Sequence, residues 1–344
     1  MALTLPKSNF HQSTTSASAD RPGSAGAAHG AVPHEHTGFA SQEPDDFTHP
    51  DHVTPAPSYE GVENLVIVCC HAIFHPDAAS PGFPLYSPYD ENNWHLAPFQ
   101  KSNKETGKPG EHETFIAHIV AGIDALKSAP GTDKSLLPNS LLVLSGGPTK
   151  KSLTPLSEAR SYYHAALAHE LAEGHYGGGR ARMLFDKGRI LLEEHATDSF
   201  QNLLFSILLF RRTTGVYPKH IRIVTHAFKA KRFLDLHAPA IKWPADRVQA
   251  QGIDPIMSRT ELDETVLGEE KYGFAPWLHD PLGTGELLSE KRKRRGWDET
   301  ATQELGEGLE ESVKELLKGK VPDILPWSGP QPAPRESVKS TAIR

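Results

Sequence analysis

Chemically capable residues gather at the ends of four apolar runs. Ser145-Gly146-Gly147, with Lys150 and Lys151 just beyond, follows Leu141 to Leu144; Cys69-Cys70-His71, Glu193-Glu194-His195 and Thr225-His226 close three others. Gly146 and Gly147 can take backbone angles closed to other residues and let a guest approach the main chain. N–H groups converging at such a junction, beside two lysines, would favour an anionic or nucleotide-like group. A plain tight turn would use the same two glycines. Glu158, Glu193 and His226 can carry protons near a reacting group, which makes them catalytic candidates. Asn202 and Thr225 can hydrogen-bond a ligand, and Arg232 can pair with an anionic one. Each has a structural alternative: Glu158 complements a helix dipole, Asp198 caps a helix, and Thr225 bonds within a turn. His71, His75, Glu193, His195 and His226 could together ligate a divalent metal. The chain has no compact ligand motif such as H-E-x-x-H, so no metal site is assigned from the sequence.

The elements that must position these groups alternate. Asn64 to Cys70, Leu141 to Leu144, Arg189 to Leu192, Ile221 to Thr225 and Val248 to Ile253 read as strands, and Met183-Leu184-Phe185 as a further short one. Helices are expected over Glu111 to Ser128, from Thr154 (N-cap) and Pro155 to about Glu173, from Asp198 to near Gly215, and over Lys229 to His237. Parallel neighbours need crossover connections, so this alternation predicts an α/β fold, a three-layer Rossmann-like parallel sheet with helices on both faces. In such a sheet ligands bind outside the carboxyl ends of the strands, where all four clusters would meet. Ser157, Glu158, Asp198 and Asn202, at helix starts, would join the same rim. The connection from His71 to Gly110 is long enough for a lid or binding loop, or a surface insertion.

Around this domain the composition changes. Residues 1–59 are Ser, Ala, Gly, Pro, His and Thr without apolar periodicity, and 321–344 are again rich in Pro and Ser, so both are expected to be disordered tails on a single domain over 60–320. Pro255 to Trp297 reads as irregular and Thr300 to Leu317 as a final helix on the sheet. The basic cluster Lys291-Arg292-Lys293-Arg294-Arg295 has the composition of a nuclear localisation signal, could hold phosphate groups, or could be a solvated turn. The net charge of −7 gives the whole chain no general attraction for nucleic acid or acidic membranes. The only two cysteines, Cys69 and Cys70, are neighbours, which fits a reducing compartment and a cytoplasmic protein, with the nucleus open through the basic cluster.

Four blocks carry a resemblance: Ser145-Gly146-Gly147; Ser157-Glu158-Ala159; Glu193 through Asn202; and Val224-Thr225-His226-Ala227-Phe228-Lys229-Ala230-Lys231-Arg232. Their order over about 64–253 resembles that of the domain of unknown function 218 family, which includes bacterial SanA, YdcF and ElyC. The loop before Gly110 and the segment after Pro255 resemble its fungal branch. Departures are Cys69-Cys70-His71 where a glycine often follows the first strand, Lys229 in place of a frequent histidine, and Ser199 where threonine is usual. The resemblance implies a Rossmann-like fold, with links to S-adenosylmethionine in the bacterial branch. Residues and resemblance together lead to one expectation. The protein binds a nucleotide-like or phosphorylated small molecule, S-adenosylmethionine among the options, at Ser145, Gly146, Gly147, Glu158, Glu193, Asn202, Thr225 and Arg232. A metal-assisted hydrolase and a non-catalytic interaction protein are the alternatives.

Overall fold

A computed structural model describes residues 56–76, 86–126 and 139–329. The expected tail over 1–59 lies outside them except for its last four residues, as does 330–344. Five parallel strands form the central sheet: β1 (Asn64–Cys69), β4 (Ser140–Ser145), β5 (Ile190–Glu193), β6 (His220–Thr225) and β7 (Val248–Gly252). They lie in the order β5-β4-β1-β6-β7. A two-stranded antiparallel hairpin, β2 (Ile73–Phe74) with β3 (Trp94–His95), stands apart from the sheet. The chain moves outward from β1 to β5, then returns to the other side of β1, so the strand order reverses between β1 and β6. That reversal opens a crevice at the carboxyl edge.

Helices cover both faces because both faces are apolar. Val66, Val68, Leu142 and Leu144 pack under α1 (His112–Asp124) and α2 (Glu158–Ala172), while Leu65, Ile67, Leu141 and Val143 pack under α4 (Ser199–Thr214). This is the expected three-layer arrangement. Met183-Leu184-Phe185 proves helical, within α3 (Gly179–Asp186), which packs beside α2. The helix after the glycine loop starts later than Thr154-Pro155 suggested: Ser157 is the N-cap, its hydroxyl accepting from the Arg160 N–H, and Glu158 is the first helical residue.

The segment beyond Pro255 departs most from expectation. It is helical over 259–279 and again at Glu286–Arg294, and the expected final helix is two short ones, Ala301–Gly306 and Glu311–Leu317, separated where Gly308 takes φ +71°. The last two helices join the apolar cluster around α4 through Leu305, Leu309, Val313 and Leu316, and Ala301–Gly306 packs against α4 itself. Burial continues past residue 320: Trp327 is fully buried against Tyr217 and Trp243, and its indole N–H donates to the Ile241 carbonyl at 2.7 Å. The stretch 321–329 therefore belongs to the packed domain and not to a tail, and the rest of the expected tail lies outside the described residues. No helix among the described residues is long and apolar enough to cross a membrane.

Candidate functional site

Strand register sets the rim. Glu193 pairs with Ser145 and Ser145 with Cys69, while Val68 pairs with Val224, next to Thr225. The glycine loop, Glu193 and Thr225 thus lie along one carboxyl edge, as expected. Their individual roles differ from the expectation. The Ser145 hydroxyl donates to Glu193 Oε2 at 2.6 Å and lies 3.1 Å from Asn202 Oδ1. Glu193 Oε1 accepts from the main-chain N–H groups of His195 and Ala196 at 2.7 and 3.0 Å. Every oxygen of this carboxylate is engaged below the surface, so Glu193 braces the loop after β5 against β4. Burial, outweighing those hydrogen bonds, pushes its carboxyl up to about 7.

The glycine loop is a packing junction and not an anion cradle. The Gly146 N–H donates to the Glu193 carbonyl and that of Gly147 to the Ala196 carbonyl. The first N–H groups of α2, those of Glu158 and Ala159, donate back to the Gly147 and Gly146 carbonyls. The two glycine N–H groups and the first N–H groups of α2 are thus engaged by the protein's own carbonyls and do not converge on a guest. Gly147 is not in the left-handed region. A Cβ there would stand 3.0 Å from the Ala196 carbonyl oxygen and 3.1 Å from the His195 carbonyl, so close approach of two backbones requires the glycine.

Above this floor is a cleft of about 820 Å³. His71, Glu158, Asn202, Lys229 and Arg232 line it from the strand ends and helix starts. Phe99, Gln100 and Lys108 line it from the connection before α1, and Glu261, Glu269 and Lys291 from the segment after β7. The two outer segments are tied by a hydrogen bond from Thr106 Oγ1 to Glu261 Oε1 at 2.7 Å. Of the eight expected ligand-binding residues, Glu158, Asn202 and Arg232 therefore reach the cleft, while Ser145, Gly146, Gly147, Glu193 and Thr225 lie beneath it.

Most carboxylates in the cleft already have partners. Asp198 caps α4 and pairs with Arg292 at 2.7 Å; Glu269 lies 3.2 Å from Arg232; Glu158 accepts from Thr149 Oγ1 at 2.5 Å. Arg232 thus has a protein carboxylate beside it in place of the expected ligand. Lys229 and Lys291, both half-buried, have no carboxylate within 4.0 Å among the described residues. Burial and neighbouring cations bring each ammonium down to about 8. The basic cluster forms the end of a helix and is only partly solvated: Arg292 is buried in its ion pair, Arg295 donates to the Thr197 carbonyl at 2.8 Å, and Lys291 faces the cleft, while Lys293 and Arg294 are exposed.

The metal set weighed as an alternative from the sequence comes apart. His75 packs with Tyr86 and His95, and His195 lies at 4.0 Å from Glu304 at the outer surface. His71 and His226 remain together, with ring centroids 4.7 Å apart, and His118 of α1 joins them. His118 was missed because it sits among the apolar positions of an amphipathic helix. His226 is buried under His71 and does not line the cleft itself; burial holds His71 and His226 well below the usual imidazole range. Burial pushes the Cys69 thiol up to about 12 and holds that of Cys70, at the floor of the cleft, well above its ordinary value, which disfavours the thiolate of both.

Among known proteins, the chain is 29% identical over 313 residues to a Saccharomyces cerevisiae protein titled Uncharacterized protein YOR238W, a similarity that covers 78% of this chain and 98% of the yeast protein. No family model matches the chain, and no solved structure matches it. The yeast similarity extends beyond the stretch that holds the sheet, since 78% of this chain is more than the length from Asn64 to Gly252.

Proposed function

We propose that the cleft at the carboxyl edge binds a small phosphorylated or nucleotide-like molecule. The observation that carries this is the pair Lys229 and Lys291, two half-buried ammonium groups on opposing segments with no carboxylate in ion-pair range among the described residues. Desolvating a cation without a counter-ion costs free energy, and an anionic guest removes that cost while gaining charge-assisted hydrogen bonds. Lys150 and Arg295 line the same space, so a phosphate could be met from several sides. The position fits too, over the reversal of strand order. The order of the four sequence blocks, which resembles the domain of unknown function 218 family, supports a ligand-binding role at this edge. S-adenosylmethionine is the less favoured guest, because its sulfonium and ammonium would meet Lys229 and Lys291. A cytoplasmic location is proposed on the two free, buried thiols.

A thermal-shift comparison of the full chain tests the proposal. A guest at 100 times its Kd stabilises the folded state by about 2.7 kcal/mol. Pyrophosphate, ADP or a sugar phosphate should raise the melting temperature, and the matching unphosphorylated nucleoside or sugar should not. Equal shifts with phosphorylated and unphosphorylated compounds would contradict the role given to the two lysines.

A further inference from the structure

Beneath the inner end of the cleft, three histidines converge from three elements. His71 follows β1, His226 follows β6, and His118 comes from α1, so they meet where the strand order reverses. One ring nitrogen from each lies within 4.8 Å of the others. Packing alone does not explain the group, because imidazole nitrogens are costly to bury without partners. His118 is fully buried; its Nε2 lies 2.8 Å from the Ile253 carbonyl, which only a donor can satisfy, and its Nδ1, then a lone pair, has no hydrogen-bond partner. His226 is 1% exposed, and neither of its ring nitrogens makes a hydrogen bond. Glu111, also buried, places Oε2 3.7 Å from His226 Nε2.

We propose that His71, His118 and His226 form a binding site for a borderline divalent metal ion, zinc in the first place, with Glu111 supplying the nearby negative charge. Imidazole is the ligand type that suits zinc, and three histidines with one position left over is the pattern of a site that keeps a place for water or substrate. The donation from His118 to a main-chain carbonyl is the kind of outer contact that fixes which nitrogen of a ligating histidine is free. Bonds of about 2.0–2.1 Å in a tetrahedral site put ligand nitrogens roughly 3.4 Å apart, so the rings must rotate inward to close on an ion. His71 and Glu111 line the cleft, which leaves the open position facing it. The nearest opposing charge is Lys229, whose Nζ lies 3.5 Å from His71 Nδ1, with Arg232 and Lys108 further out; Thr225 Oγ1 lies 3.3 Å from His71 Nε2, so His71 must exchange one of these contacts for the ion. This site does not depend on the phosphate proposal, since none of its three ligands is assigned to the anion.

The test is metal titration of the full chain after chelator treatment, using zinc with a competing indicator and cobalt for its tetrahedral absorption. The N-terminal histidines, such as His34 and His36, can also take up metal. The decisive quantity is therefore the one tight equivalent that changes with the cluster. His118→Gln and His226→Gln should each weaken that equivalent by more than about 100-fold, beyond the usual effect of disturbing an outer contact. His75→Gln and His195→Gln should leave it unchanged, and Lys229→Met should retain or tighten it. Should the buried variants fail to fold, His71→Gln and the cobalt spectrum of the wild-type chain carry the test. A wild-type chain with no tight equivalent, cluster variants that bind as wild type does, or loss of metal in Lys229→Met would each overturn the proposal.

Discussion

Replacing Glu193 by glutamine separates a structural carboxylate from a catalytic one. In the folded protein this carboxyl is brought up to about 7 from an ordinary 4.5. The sign follows from the proton balance: between these two values the folded state binds more protons than the unfolded, so stability falls as pH rises through that window and stays lower above about 7. At about 1.4 kcal/mol per pH unit, the full effect is on the order of 3 kcal/mol. Glutamine cannot ionise, yet it can keep the network. Its oxygen accepts from the His195 and Ala196 N–H groups, its amide donates to Ser145 Oγ, and the Ser145 hydrogen turns to Asn202 Oδ1, 3.1 Å away. Glu193→Gln should therefore be near wild type at pH 5 and up to about 3 kcal/mol more stable at pH 8, a rise in melting temperature on the order of 5–10 °C for a chain of this size. Glu193→Ala, which strands two main-chain donors, should be destabilised at both pH values. Denaturant titrations of the three proteins at pH 5 and pH 8 provide the assay. A glutamine variant that loses stability at pH 8, or keeps the wild-type pH dependence, would refute the bracing role.

Three further outcomes are expected. Gly147→Ala should lower the melting temperature by several degrees, because its Cβ would press on the Ala196 and His195 carbonyls; a variant melting with wild type would show that the loop after β5 yields freely. Trp327→Ala should cost about 3–5 kcal/mol, measured by urea denaturation, and a loss below 1 kcal/mol would mean that residues 321–329 contribute little to the fold. Affinity for a phosphorylated guest should be greatest near pH 7, where the phosphate is largely in its dianionic form and both lysines are protonated, and fall above about 8 as free Lys229 and Lys291 lose the protons they would hold in the complex; calorimetry in buffers of different ionisation heat would show proton uptake near pH 8, and its absence would contradict their role.

The sheet was legible in the sequence because its strands are continuous apolar runs, and the edge on which Ser145, Glu193 and Thr225 meet follows from topology alone. Met183-Leu184-Phe185 misled because three apolar residues between polar ones suit a strand or a short helix equally. The helix Arg259–Gly268 buries none of its residues, so it has no apolar stripe to read. Trp327 was hidden in a Pro- and Ser-rich stretch whose composition resembles a tail. At the site, the residue types were visible but their directions were not. The glycine loop could be a cradle or a junction until its N–H groups were traced to main-chain carbonyls. His118 could not be grouped with His71 and His226, because distant segments meet there only through the strand order.

Calorimetric titration of the full chain with pyrophosphate and with ADP at pH 7, for wild type and for Lys229→Met/Lys291→Met, tests the anion cleft most directly. Binding of one equivalent by wild type is expected, with affinity at least about tenfold lower in the double variant, which should melt no lower because it has lost two cations without carboxylate partners. A wild-type chain that takes up neither compound, or a double variant that binds them equally well, would contradict the assignment of this cleft to a phosphorylated guest.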